Sequence, residues 1–196
     1  MLLLLFDVAS NRYGLEASEV IEVTPIVRLR PAPHTPAYVA GVFNFRGAVT
    51  PVIDLHALLG ERPVRPLLST RIIIVRLEGP GGQERRLGLM SERVTETIAC
   101  RPEDFQPPGV HTEEAAYLGD LMTSPGGLIQ KVTVSRILPA EVKRLLFEQI
   151  DADGESPEPT KLEAGGEPSA PSEVEASDKP SEPTPPRARK SRAKRK

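Results

Sequence analysis

Apolar residues in this chain come in short, β-branched runs separated by turn residues, which is how a small barrel or sandwich reads. Leu2 to Val8 predicts a first strand, Ser10-Asn11-Arg12 a turn, and Tyr13 to Ala17 the return. Val20 to Val27 is the next run, interrupted by Pro25, and Val49 to Ile53 follows Gly47. RIIIVRL, Arg71 to Leu77, is the clearest strand, because consecutive isoleucines and a valine between arginines suit a strand covered on both faces. Gly79-Pro80-Gly81-Gly82 forces a reversal, Arg85 to Met90 pairs back, Arg93 to Ile98 continues, and Leu128 to Val134 supplies a late strand.

Helical patterns are few. His34-Thr35-Pro36-Ala37 predicts a short helical turn, with Thr35 as cap and Pro36 at the first helical position. Asp54 to Leu59 fits a helix of one or two turns, capped by Asp54 and stopped by Gly60. Only Pro139 to Gln149 has full helical length, with Val142, Leu145 and Leu146 on one face.

Composition divides the chain near residue 150. Residues 1–149 carry all five Phe and all three Tyr, and a body of that length can bury roughly 70% of its unfolded surface. It is close to neutral, so its overall charge does not point to nucleic acid. Residues 150–196 have no aromatic residue, and beyond Asp151 only Leu162 and Val174 are large aliphatics. Such a segment cannot offset its ordering entropy and is expected to be disordered. The Leu2 to Phe6 run is too short for a signal sequence or a membrane span and lacks a basic flank. A single cysteine, Cys100, excludes an internal disulfide and suits a reducing cytoplasm.

Candidate chemistry is sparse. His34, His56 and His111 are far apart and share no ligand spacing, so no metal site is expected. Arg101 beside Cys100 could lower the thiol pKa, but no nucleophile signature surrounds it, and a buried or incidental thiol is the expectation. Glu103 and Asp104 are adjacent and read as a solvated loop rather than an acid–base pair. Gly79 to Gly82 lacks the Lys and Ser/Thr of a phosphate loop. The expectation is a protein that is not an enzyme, with no cofactor and no small-molecule substrate.

One stretch, GVFNFRGAVTPVID from Gly41 to Asp54, sets Arg46 among apolar residues and turn formers. It lies within VIEVTPIVRLRPAPHTPAYVAGVFNFRGAVTPVIDLHALLG, Val20 to Gly60, which resembles the chemotaxis coupling protein family CheW. The family pattern is V-x-E-V, then a proline, then G-V-x-N-x-R-G-x-x-x-P-V-x-D-L and L-x-x-x-L-G. This chain matches it at Val20, Glu22, Val23, Pro33, Gly41, Val42, Asn44, Arg46, Gly47, Pro51, Val52, Asp54 and Leu55. The resemblance continues through RLGLMSERVTETI, with Glu92 where Asp is usual, and YLGDLMTSPGGLIQKVTVSRIL, with Thr133 where an acid is common. Phe45 replaces the usual aliphatic, and in these departures the chain resembles the CheW-like adaptors of Wsp-type surface-sensing pathways.

The resemblance implies an all-β fold of two intertwined five-stranded SH3-like barrel lobes over residues 1–149. It implies an adaptor between the cytoplasmic tip of methyl-accepting chemoreceptors and the regulatory domain of a CheA-type histidine kinase, in the cytoplasm at membrane-bound receptor arrays. Arg46 would be a charge displayed from a strand end, with Glu22 as its expected partner. Spacing alone favours an ordinary surface ion pair; the resemblance favours a pair that a partner reads. Val20, Glu22, Val42, Asn44, Arg46, Met90 and Val94 are the expected partner-binding residues, the apolar ones either core or lining of a groove between the lobes. Gly41 and Gly47 are expected to permit tight turns, with Pro51 and Asp54 completing the structural motif.

The tail separates its charge. Asp151 to Pro186 holds ten acidic and two basic residues, and the last ten residues hold seven basic ones: Arg187, Arg189, Lys190, Arg192, Lys194, Arg195 and Lys196. This basic patch on an acidic linker reads as a solvated tail, as a weak contact for anionic lipid, or as one for nucleic acid or an acidic protein. The alternative to coupling is therefore a small β-barrel module that binds nucleic acid or anionic lipid through its tail.

Overall fold

A computed structural model describes residues 1–109 and 115–152. His111 and the expected disordered tail beyond 152, with its basic patch from Arg187 to Lys196, lie outside the described residues. The strands are β1 (Leu2–Val8), β2 (Asn11–Glu16), β3 (Val20–Pro25), β4 (Val39–Phe45), β5 (Ala48–Asp54), β6 (Arg71–Glu78), β7 (Glu84–Ser91), β8 (Arg93–Ala99), β9 (Phe105–Gln106), β10 (Leu118–Ser124) and β11 (Gly127–Val132). Helix α1 (Leu55–Leu58) follows β5, and helix α2 (Ala140–Ala152) comes after the last of these strands.

The strands form two sheets, in the orders β8-β1-β2-β11-β10-β9 and β3-β6-β7-β5-β4. The all-β, two-lobed architecture expected from the sequence is therefore present, although the first sheet has six strands because two-residue β9 pairs with β10. The second sheet is an insertion in the first: the chain leaves after β2, builds β3 to β7, and returns at β8 to pair with β1. Each sheet has one parallel contact, β2 with β11 and β5 with β7, where separate antiparallel units are joined.

Alternation along the strands explains this arrangement, since successive side chains point to opposite faces. On β6, Ile72 and Ile74 pack with Phe45, Val52 and Met90 on one face of the second sheet. Ile73, Val75 and Leu77 point the other way, into a cluster with Phe6, Leu15, Ile53, Leu87 and Leu89 that joins the two sheets. β1 behaves likewise: Leu3 and Leu5 belong to a cluster with Met122 and Ile129, while Phe6 and Val8 face the central one. RIIIVRL is thus a strand covered on both faces, as its apolar run predicts.

Helix α2 closes the central cluster with Leu146 and Phe147, both buried, and Val142 packs against its margin. Leu145, expected on that face, is only half-buried. Two polar contacts tie the lobes: Ser91 Oγ donates to the Asp7 carbonyl at 2.7 Å, and Tyr117 Oη donates to the Leu58 carbonyl at 3.1 Å.

Local differences from the sequence reading have local causes. The first hairpin turns at Ala9–Ser10, since Val8 already pairs with Asn11 and Ala9 takes φ 51°. Residues 34–37 form turns rather than a helix: His34 has φ 60°, and Thr35 Oγ1 donates back to the Ala32 carbonyl at 2.7 Å. Thr35 caps nothing there. Strands β4 and β10 escape the pattern because glycine, asparagine or aspartate interrupts their apolar runs.

Ile73 is fully buried in the cluster shared by both sheets. Ile73→Ala is expected to lower unfolding free energy by about 2–5 kcal/mol, read from urea midpoints. Val49→Ala, at an exposed β5 position, is expected to stay within about 0.5 kcal/mol. Equal midpoints for the two variants contradict the core assignment.

Candidate functional site

The loop between β4 and β5 is two residues long, Arg46–Gly47, because Phe45 pairs directly with Ala48. Both residues have positive φ, 51° and 82°, as a type I′ connection requires. Asn44 Oδ1 accepts from the Gly47 amide at 2.8 Å and holds the turn from inside. Asparagine or glycine is the usual occupant of such a φ; an arginine there costs on the order of 1 kcal/mol of backbone strain. The position is thus poor for the backbone and serves the side chain.

That side chain reaches across the lobe. Arg46 Nη2 donates to Glu22 Oε2, although β3 and β4 are the outer strands at opposite ends of the second sheet. The segment following β3 makes the same connection through the backbone: Arg30 and Val42 exchange amide–carbonyl hydrogen bonds at 2.8 Å each. One continuous segment therefore pairs with β6 at residues 20–25 and with β4 at Arg30. Gly41 serves this approach rather than a turn. It sits at a register shift in β4 with φ 139°, and a Cβ there would meet the Arg30 carbonyl oxygen at 2.4 Å.

The ion pair is open to solvent, with 67% of the Arg46 side chain and 35% of the Glu22 side chain exposed. As a stabilising contact it is worth about 0–1 kcal/mol. Its guanidinium also lies over the buried Phe45 ring, 5.3 Å from the centroid, and Arg86 from β7 approaches the same ring at 5.7 Å. Phe45 thus supports two cations. Among the described residues Arg46 is paired with one carboxylate and Arg86 with none.

Asp54 anchors the far end of the motif. Its Oδ1 accepts from the His56 and Ala57 amides at 2.9 and 3.2 Å, capping α1 as the sequence predicts. Its Oδ2 accepts from the Val64 amide at 2.8 Å, which fastens the loop after the helix. Pro51 is buried opposite Val42, and the parallel β5–β7 ladder begins one residue later at Val52. The lost amide of Pro51 therefore breaks no rung of that ladder.

The expected apolar contacts separate. Val20 and Val94 are half-buried at the margin of the central cluster, and Val42 is half-buried on outer strand β4. Met90 is 6% exposed, among Phe45, Val52, Ile72 and Ile74. It is packed inside the second lobe, so a lining role in a groove between the lobes does not fit its position. The sequence does not single out Arg86, and it marks Phe45 only as an aromatic where aliphatics are usual, the one signal that points to this ring.

The groups with chemical potential stand apart. Cys100 is buried, and that burial pushes its thiol pKa up, against the lowering considered for Arg101. Asp104 caps the turn at residues 102–104, accepting from the Arg101 amide at 2.8 Å. His56 is 5% exposed, within α1. Among the described residues no group of three His, Cys, Asp or Glu is placed to hold a metal ion.

Comparison with known proteins gives a consistent result. The CheW-like domain profile matches residues 2–142. The chemotaxis protein CheW of Rhizobium meliloti is 29% identical over 141 residues, 71% of this chain and 88% of that protein. Protein FrzA of Myxococcus xanthus is 36% identical over 69 residues, 35% of this chain and 43% of FrzA. The crystal structure of the scaffolding protein TtCheW from Thermoanaerobacter tengcongensis superimposes with a TM-score of 0.64 at 29% identity, covering 74% of this chain and 92% of that one.

Two outcomes are expected of variants at this site. Arg46→Gly relieves a left-handed residue while losing an exposed ion pair, so unfolding free energy should change by less than about 1 kcal/mol; a larger loss in a denaturant titration makes the guanidinium structural. The Cys100 thiol should react with a disulfide reagent at pH 8 on the order of tenfold or more slowly in the native protein than in urea. Equal rates contradict its burial.

Proposed function

Because this chain belongs to the family of CheW-like domains, we propose that it is a non-catalytic adaptor coupling the cytoplasmic tip of methyl-accepting chemoreceptors to the regulatory domain of a CheA-type histidine kinase. The Rhizobium meliloti relative is named a chemotaxis protein and the structural neighbour is described as a scaffolding protein, which together support the role of a chemotaxis coupling adaptor. The receptor and kinase partners come from the family resemblance.

The observation that carries the reading is the exposed Glu22–Arg46 pair, built across the two outer strands of the second sheet. A left-handed turn, the Phe45 ring and the Asn44 bracket fix the base from which Arg46 projects. Preorganisation of this kind lowers the ordering entropy of association. An arginine offers up to five donors in a rigid fork, so a partner carboxylate or carbonyl edge can be read with directional precision. Glu22 holds that fork in place and limits what else it accepts.

Such a contact is small. Affinity for each partner would come from the apolar surroundings, including Val20 and Val42, and from many copies packed beside receptors at the membrane, where avidity multiplies a weak interaction. No helix among the described residues is long and apolar enough to cross a membrane, and on this reading the protein reaches the array by binding. Signal passes through contacts rather than through a reaction.

Calorimetric titration of the full chain with the regulatory domain of a CheA-type kinase from the same genome tests the proposal. Saturable binding that weakens about tenfold or more in Arg46→Ala is expected, in line with the loss of a charged anchor that becomes buried only on association. Binding of equal strength by both proteins removes Arg46 from the interface, and no binding by the native chain to kinase domain or receptor tip removes the coupling reading.

A further inference from the structure

The loop between α1 and β6 carries the most exposed large apolar residue among those described. Leu68 is 99% exposed and its neighbour Leu67 is 44% exposed. A leucine left in water on a loose loop needs no explanation. This loop, however, is tied down along its length.

Its start is held by the Asp54 carboxylate, which accepts from the Val64 amide at 2.8 Å. Glu92, the residue between β7 and β8, accepts from the Arg65 amide at 3.1 Å and pairs with the Arg65 guanidinium at 3.7 Å. The fully buried Thr70 braces the middle: its hydroxyl donates to the Arg65 carbonyl at 2.6 Å and accepts from the Leu67 amide at 3.0 Å. The Thr70 amide donates to the Leu67 carbonyl at 3.0 Å. Finally, Arg71 Nη1 donates to the Leu68 and Thr70 carbonyls at 2.5 and 2.9 Å. Pro63 and Pro66 further restrict the backbone.

Several of the loop's backbone polar groups are thus bonded inward, and at its tip it presents the apolar side chains of Leu67 and Leu68 to solvent. A threonine buried to brace a loop, and a strand arginine spent on the loop's carbonyls, are unusual support for a side chain that touches nothing. The charge around it is also biased. Along the chain Arg62, Arg65 and Arg71 flank the two leucines, against Glu61 before them and Glu92 paired with Arg65, and among the described residues Arg62 has no ion pair.

From this juxtaposition we propose that the buttressed loop 61–70 is a second docking element, a preorganised knob that places Leu68 in an apolar pocket rimmed by carboxylates on a partner protein. The chemistry follows from the surface: the leucine is desolvated in the pocket, Leu67 covers its edge, and Arg62 meets an acid on the rim. Because the knob is already ordered, insertion loses little conformational entropy. The partner is the kinase regulatory domain, a commitment that rests on the coupling reading above. Glu22 and Arg46 would then be a polar contact and Leu68 an apolar one, on separate parts of the second lobe.

The test compares the native full chain, Leu68→Ser and Arg62→Glu by calorimetric titration with the kinase regulatory domain, together with thermal melts and sedimentation of each protein alone. Leu68→Ser is expected to melt with the native chain and to bind about tenfold or more weakly. Arg62→Glu should bind more weakly and lose part of the salt dependence of the native affinity. Native affinity in Leu68→Ser overturns the knob and leaves the coupling reading intact. A lowered melting temperature in Leu68→Ser makes the residue structural, and tighter binding by Arg62→Glu makes the rim basic; either overturns the proposal. Self-association of the native chain that Leu68→Ser abolishes means that a second copy fills the role and also overturns it. Absence of any binding by the native chain defeats the coupling reading and the knob's stated partner together, a pattern distinct from loss of the knob alone.

Discussion

The central hydrophobic cluster is the constraint on which the rest of the structure depends. Phe6, Leu15, Ile53, Ile73, Leu87, Leu89, Leu146 and Phe147 come from both sheets and from the last helix, and none of these elements covers its apolar face without the others. Because β3 to β7 are inserted between β2 and β8, the first lobe is completed by strands that follow the second. The lobes therefore share their stability, and a lesion such as a truncated Ile73 is felt in both.

That shared rigidity lets the described body hold outward-facing side chains in fixed positions. Its outward features are ordinary side chains set on an over-determined scaffold. Arg46 occupies a strained turn, is braced by Phe45, and meets a glutamate from the other outer strand. The Leu67–Leu68 loop is braced by Asp54, Glu92, Thr70 and Arg71. In both places buried or half-buried polar groups hold a solvent-facing side chain, which is the opposite of the usual division between core and surface. Strain and bracing of this kind persist only where the surrounding fold enforces them.

Asp54 links the two. It is buried, and it accepts three backbone donors, two from the start of α1 and one from Val64. The carboxylate that ends the Arg46-bearing hairpin thereby also begins the leucine-bearing loop. Only the α1 half of this role is visible as a capping pattern, since a cap is a contact between near neighbours. The contact ten residues away depends on how the loop returns.

Sequence by itself determined what is local or periodic. The double-sided burial of Arg71 to Leu77, the reversal after Glu78, the Asp54 cap and the helix from residue 140 all follow from spacing and turn chemistry, where the relevant partners are a few residues apart, and the two-lobed fold followed from the family resemblance alone. Tertiary structure alone decided which strands became outer ones. From that came the true role of Gly41 against Arg30, the reach of the expected Glu22–Arg46 pair between the two outer strands, the enclosure of Met90, and the bracing of Leu68. The physical reason is that a strand's period assigns a side chain to a face, whereas its neighbours on that face are set by pairing and closure between residues distant along the chain.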